Sequence, residues 1–280
     1  MAVETAELTS ELLEKEARLK QLLARYGTLA VAYSGGVDSS YLADVAHDVL
    51  GAAATMILAD SPSVPRAEVN EAADLAKVRG WNFRVIFTQE FENEDYLKND
   101  GTRCYFCRSE LFTKMQGFAR ENAVGTMAYG AIMDDLVDPT RLGTKAAAEH
   151  AVVAPLQAVH LSKAEIRQLS KQRGLPTWEK ASFACLSSRF PKGTRVNLAD
   201  LAKVEAAEEV LKAMGFHQYR ARHHGDICRI EVDPADLPKL IDASVREELH
   251  RRIVATGYRY VALDLAGYRT GSTADVPSAI

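Results

Sequence analysis

No Gly-x-x-x-x-Gly-Lys-Ser/Thr string occurs anywhere in the 280 residues, which excludes a Walker-type phosphate loop. No apolar run approaches the length needed to span a bilayer. The first residues, MAVETAELTSELLEKEARLK, carry acids where a secretory leader carries bases followed by an apolar stretch. A soluble, cytoplasmic protein with no membrane partner is the expectation. Positive charge is also short: the formal net charge is -4 and there is no long basic run. The electrostatic footprint of a protein that grips nucleic-acid backbone is therefore missing, and nucleic acid is not an expected partner. Cysteine is scarce, with four residues, and a cytoplasmic address argues against a disulfide framework. Internal repeats and low-complexity tracts are absent from the sequence.

What the sequence does contain begins with a strand-like run, Leu29 to Tyr33, that ends in Ser34-Gly35-Gly36-Val37-Asp38-Ser39-Ser40 and passes at once into a helical pattern. Two glycines let the main chain turn tightly with its N–H groups inward, and the hydroxyls and the positive end of the next helix complete an anion site. A nucleotide triphosphate is the natural guest. Asp38 would repel phosphate unless a divalent cation lay between them, so magnesium is expected there. An ordinary serine-capped turn explains one glycine and one hydroxyl, but not this combination.

With 47% hydrophobic residues, the chain can bury a large domain and a smaller one. Leu8, Leu12, Leu19, Leu22 and Leu23 recur at helical spacing and predict an amphipathic N-terminal helix. Apolar runs at Ala54 to Ala59, Phe83 to Phe87, Thr126 to Tyr129 and Val152 to Leu156 alternate with helical segments, which predicts an α/β domain with a parallel sheet and flanking helices. Ligands of such sheets sit at the carboxyl ends of the strands, so Ser34 to Ser40, Asp60-Ser61 and Gly130 to Asp135 should converge on one crevice. Ser162-Lys163-Ala164-Glu165 has capping-box spacing and Gly174-Leu175-Pro176 supplies the stop, giving a helix over 162–173. The first domain is thus set at 1–176 and a connecting segment at 177–196. A small α+β domain follows at 197–270, with strands at Tyr219 to Arg222, Ile227 to Val232 and Tyr260 to Leu263. The tail, 271–280, is expected to fray.

Cys104 and Cys107 are spaced to reach one metal centre, and Cys185 lies in a Ser-rich segment that can fold over the same crevice. Three thiolates on an iron-sulfur cluster leave one iron open to an external sulfide. Structural zinc and a redox dithiol remain alternatives on spacing alone. Cys228, in the strand pattern Ile227 to Ile230, reads as a small core residue. His223 and His224, adjacent in a strand, point to opposite faces and cannot serve one site.

The string SGGVDSS after a hydrophobic strand resembles the PP-loop of the ATP pyrophosphatases. That resemblance implies an enzyme that adenylates a carbonyl or carboxylate oxygen, releases pyrophosphate and lets a nitrogen or sulfur nucleophile displace AMP. ASFACLSSRFPKGT (181–194), the Arg220-x-Arg222 pair, Asp226-Ile227-x-Arg229-Ile230-Glu231 and Gly257-Tyr258-Arg259-Tyr260-Val261 further resemble the LarE family. Members of that family convert the two carboxylates of a pyridinium mononucleotide to thiocarboxylates, in biosynthesis of the nickel-pincer nucleotide of lactate racemase. The resemblance implies ATP and magnesium at Ser34, Gly35, Gly36, Asp38, Ser39 and Ser40, with Asp60, Ser61 and Gly130 around the nucleotide. It implies the substrate phosphate at Ser188, Arg189, Arg220 and Arg222, an arginine fork suiting that anion. One subtype sacrifices the sulfur of a single cysteine; another relays sulfide through a 4Fe-4S cluster on three. Ala184 stands at the sacrificial position and Cys185 one place later, which favours a cluster on Cys104, Cys107 and Cys185, fed by a sulfide source. An amide-forming ligase of the NAD-synthetase type and a nucleotide-sensing regulator are the competing expectations. A homo-oligomer is expected. Roles for Asp134, Asp135, Glu208 and Cys228 stay open.

Overall fold

A computed structural model describes residues 9–136, 142–181 and 184–269. The chain divides into two compact units, one formed by Met1–Ser61, Arg66–Glu90 and Cys104–Phe183, the other by Pro62–Pro65, Phe91–Arg103 and Ala184–Ile280.

The first unit is built on four parallel strands, β1 (Leu29–Ala32), β2 (Ala54–Asp60), β3 (Asn82–Phe87) and β4 (Thr126–Tyr129), in the order β3-β2-β1-β4. Leu29 pairs with both Ala54 and Thr126, so β1 is central, and its short Leu-Ala-Val-Ala sequence suits a strand covered on both faces. Alternate side chains feed two cores. Leu29, Val31 and Tyr33 pack with Leu19 and Leu23 of α1 (Ser10–Ala24), Leu42 of α2 (Val37–Leu50), Leu75 of α3 (Arg66–Val78) and Ile166 and Leu169 of the helix that closes the unit. Ala30, Ile57, Met127 and Tyr129 pack on the other face against Phe112 and Met115 of α4 (Arg103–Glu121) and Ala146 and Ala147 of α5 (Leu142–Glu149).

The closing helix, α6 (Lys163–Gln172), begins in a full capping box: Ser162 Oγ accepts from Glu165 N and Glu165 accepts from Ser162 N at 2.8 Å. It ends before Gly174, whose φ of +65° is the left-handed turn that favours glycine. The N-terminal amphipathic helix and this one stand as the periodicity indicated; Leu8 lies outside the described residues. One expectation fails. Val152 to Leu156 forms no strand but a single bridge between Val153 and Ala128, because Pro155, without an N–H to donate, opens a short helix, Pro155–Ala158, instead.

In the second unit β5 (Tyr219–His224) and β6 (Ile227–Val232) form an antiparallel hairpin turned at Gly225, and β7 (Tyr260–Leu263) adds to β6 in parallel. Helices α7 (Leu198–Ala213) and α8 (Ala243–Ala255) cover it through Leu211, Leu249 and Ile253, packed on Ala221, Cys228 and Ile230. The α/β class of the first unit and the small α+β character of the second match the sequence-based expectation. Among the described residues, no helix is long and apolar enough to cross a membrane.

Candidate functional site

The loop after β1 is shaped by its glycines. Gly35 has φ +71°, and a Cβ built on it would lie 2.8 Å from Ala72 Cβ, so the loop lies flat on α3 only because that atom is missing. Ser39 Oγ accepts from Ser34 N at 3.1 Å and stands 3.0 Å from Ser34 Oγ, tying the loop across its mouth. Gly36 is the N-cap of α2, and no side chain caps that terminus. The first N–H groups of a 14-residue helix therefore have no side-chain acceptor, and the positive end of the helix faces the loop. Gly35→Ala is expected to lower the unfolding free energy by about 1–3 kcal/mol. Urea melts check this, and a variant as stable as wild type would contradict the account of the loop.

The carboxyl end of β4 closes on the same place. A Cβ on Gly130 would come 3.0 Å from Ser39 N and 3.2 Å from Asp38 C, so glycine lets β4 approach the start of α2 without crowding. Asp134 accepts from Lys163 N at 3.0 Å at the start of α6, and Asp135 turns back to accept from Ile132 N. Lys163 Nζ in turn reaches Asp38 Oδ2 at 2.6 Å. The loop and the segment Gly130 to Asp135 thus converge as the strand order requires, and Asp134 serves as a helix-terminus acceptor. Asp60 and Ser61 end β2 on the same edge of the sheet. Their side chains are engaged locally: Arg66 donates to the Asp60 carboxylate and to Ser61 O, and the buried Ser61 hydroxyl donates to Glu90.

Asp38 Oδ1 is buried and has no hydrogen-bond partner among the described residues. A carboxylate oxygen without a donor, at the foot of an uncapped helix, is what a divalent cation would complete. Lys163 was missed as a site residue because it reads as the second residue of a capping box. A signal was there: lysine in the first turn of a helix opposes the dipole, so such a lysine has another task.

Cys104 and Cys107 lie on the first turn of α4, three residues apart and hence on one face, Cys104 exposed and Cys107 half-buried. Two soft thiols one turn apart suit an iron-sulfur or zinc centre. Cys185 belongs to the second unit, half-buried at the head of a short 3-10 turn, Leu186–Arg189. Among the described residues neither unit by itself gathers three His, Cys, Asp or Glu side chains into a metal-ligating group. Burial pushes the Cys228 thiol up to about 12, which leaves it protonated and inert in the core. His223 and His224 do face apart: His223 is buried beside Tyr258, with Nδ1 3.2 Å from its hydroxyl, while exposed His224 meets Arg229.

The substrate candidates of the second unit come together. Arg189 forks onto Glu208 with both bonds at 2.9 Å and also donates to the carbonyls of Ala184 and Cys185 and, at 3.0 Å, to Ser188 Oγ. Arg222 bonds Glu231 at 2.7 and 3.0 Å and the Ser188 carbonyl at 3.2 Å. Both arginines are buried, so neither is part of a solvated face. Glu208, open in role from sequence, anchors Arg189 and accepts from Ala221 N at 3.0 Å. Removing either member of such a buried pair costs about 3–5 kcal/mol, because the other charge is left in the core. Arg220 stacks on Tyr268 at 5.0 Å. Burial pushes its guanidinium down from the ordinary arginine value, and Arg189 nearby adds to the shift. Ser188 joins the two buried pairs, its hydroxyl accepting from Arg189 and its carbonyl from Arg222.

No family model matches the chain. Full-length relatives do. A protein of Lactiplantibacillus plantarum named pyridinium-3,5-bisthiocarboxylic acid mononucleotide synthase is 33% identical over 263 residues, 93% of this chain and 94% of its own. An uncharacterized protein of Synechocystis is 39% identical over 259 residues, 91% of this chain and 96% of its own. Another uncharacterized protein, from Methanocaldococcus jannaschii, is 26% identical across 86% of this chain and 91% of its own.

Proposed function

This chain belongs to the family of the pyridinium-3,5-bisthiocarboxylic acid mononucleotide synthase, the LarE family, and from that premise we propose that it is an ATP-dependent sulfur transferase acting on a pyridinium biscarboxylate mononucleotide. The observation that carries the reading is identity to the named synthase along nearly the whole chain. An uncapped, glycine-lined loop holding an acid with one unpartnered oxygen supports the nucleotide half of it.

A carboxylate oxygen is a poor leaving group, and sulfide does not displace it at neutral pH. In the first step a substrate carboxylate oxygen attacks the α-phosphorus of ATP, the bond to the β-phosphate oxygen breaks, and pyrophosphate leaves. The loop N–H groups of Gly35 to Ser39 and the Lys163 ammonium bind and orient the phosphates and meet the charge that develops on pyrophosphate. Magnesium held at Asp38 Oδ1 would offset the remaining phosphate charge. In the second step sulfur attacks the acyl carbon and AMP leaves with the former carboxylate oxygen. Arg220, Ser188, Arg189 and Arg222 hold the substrate phosphate and so position the ring carboxylates. A 4Fe-4S cluster held through Cys104 and Cys107 would supply the sulfide.

The test is turnover of the pyridinium biscarboxylate mononucleotide with ATP, magnesium and sulfide, made without oxygen and followed by AMP and pyrophosphate release and by the mass of the product. Stoichiometric AMP with oxygen-to-sulfur exchange is expected; amide formation from ammonia would instead point to a ligase. For the sulfur route, Cys107→Ala is expected to lose its bound iron and multiple turnover. Iron and acid-labile sulfide analysis of the anaerobically purified variant checks this, and unchanged turnover would remove the cluster from the mechanism.

A further inference from the structure

Arg108 sits in the second turn of α4, half-buried, with its guanidinium 5.5 Å from the centre of the Tyr129 ring. Tyr129 is the last residue of β4, and the next residue, Gly130, is the one whose missing Cβ lets β4 touch Asp38 and Ser39. The guanidinium therefore lies at the carboxyl end of β4, over the residue that precedes the loop-contacting Gly130. Gly143 is the second constraint. A Cβ there would come 2.5 Å from Arg108 Cδ and 2.8 Å from Cζ, so the first turn of α5 is bare where the arginine lies across it. The side chain is clamped between an aromatic ring and a helix backbone, which removes much of the rotamer freedom an arginine normally keeps.

Among the described residues no carboxylate pairs with Arg108, whereas the arginines of the ionic network between α2 and α6 each have an acid: Arg79 has Asp44, and Arg173 has Asp44, Asp48 and Glu16. A half-buried guanidinium at the sheet edge that carries the glycine loop, with five N–H donors and no acid among the described residues, is complementary to an anion that arrives from outside.

We propose that Arg108 is a further nucleotide-binding residue, contacting the triphosphate of ATP from the β4 side of the loop while Lys163 approaches from α6. This rests on the reading of the loop as an ATP site. It also gives α4 a function in the first half-reaction, before its cysteines enter the second.

The experiment is calorimetric titration of the full chain with ATP-magnesium, pyrophosphate and adenosine, on wild type, Arg108→Gln and Arg108→Lys. A roughly tenfold weaker ATP and pyrophosphate affinity is expected in Arg108→Gln, with partial recovery in Arg108→Lys and adenosine unaffected, the size expected for one charge-assisted contact. Thermal melting accompanies each titration, and Arg108→Lys keeps the test open should the glutamine variant fold poorly. ATP affinity within twofold of wild type in both variants would overturn the assignment and leave the ATP reading standing. Equal weakening toward adenosine would overturn it as well, marking Arg108 as a packing residue. Wild type that binds neither ATP nor pyrophosphate would bring down the loop reading itself, and Arg108 with it.

Discussion

Asp38→Asn is expected to slow pyrophosphate release from ATP by about 10²- to 10³-fold while the protein stays folded. The two parts of that statement rest on different magnitudes. An acid in the first turn of a helix contributes about 0.3–1 kcal/mol through the helix dipole, and Asp38 is such an acid, so replacing it by its neutral isostere leaves a stable chain. In the proposed reaction its two oxygens have separate tasks. Oδ2 holds Lys163 at 2.6 Å, and Oδ1 is the buried oxygen without a partner. Asparagine keeps the shape but removes the charge that anchors a cation and sets the lysine. Pyrophosphate release under saturating ATP, magnesium and substrate, alongside a thermal melt, checks the prediction. Activity within threefold of wild type would sink the role given to Asp38.

The second large effect falls on Cys185. In Cys185→Ser, formation of thiocarboxylate is expected to drop below detection while AMP and pyrophosphate continue to form within a few-fold of wild type. The fold makes this split possible, because the turn uses the main chain of Cys185 and not its sulfur. The Cys185 carbonyl accepts from Ser188 N at 2.9 Å and from Arg189 at 3.0 Å, and serine preserves both. The substrate-phosphate candidates are attached to that same turn through Ser188 and Arg189, so substrate positioning survives with it. Product mass spectrometry alongside an AMP assay reads the two half-reactions separately. Thiocarboxylate formed at the wild-type rate by the serine variant would exclude Cys185 as a carrier of sulfur, by cluster or by sacrifice.

The parts of the site that could be read in one dimension are those whose physics is local. Ser34 to Ser40 announces itself because a glycine pair, a strand end and a helix start act within seven consecutive residues. The capping box at Ser162 and Glu165 is local for the same reason. The apolar runs of β1 and β2 and the 3.6-residue period of α1 likewise report on neighbours a few residues away. Where a local rule competed with another local rule the outcome was less legible. Val152 to Leu156 is apolar enough for a strand, yet Pro155 halts the ladder after one bridge.

Partnership, by contrast, was settled by packing. From composition alone Arg189 and Arg222 are cations available to a phosphate; in the folded chain they are buried on Glu208 and Glu231, and Arg220 joins them with its charge disfavoured by burial and by Arg189. Asp60 is engaged by Arg66, and Lys163, 125 residues from Asp38 along the chain, becomes its ion-pair partner. The amino-acid sequence by itself determined the glycine loop, the α/β order of elements and the cysteine and arginine inventory, because backbone turning, capping and side-chain periodicity are decided over a few residues. Which charge meets which, which oxygen is left without a donor and which arginine stays without an acid were decided only by the tertiary structure. Those outcomes depend on desolvation and distance between residues that the sheet and its helices bring together from far apart in the chain.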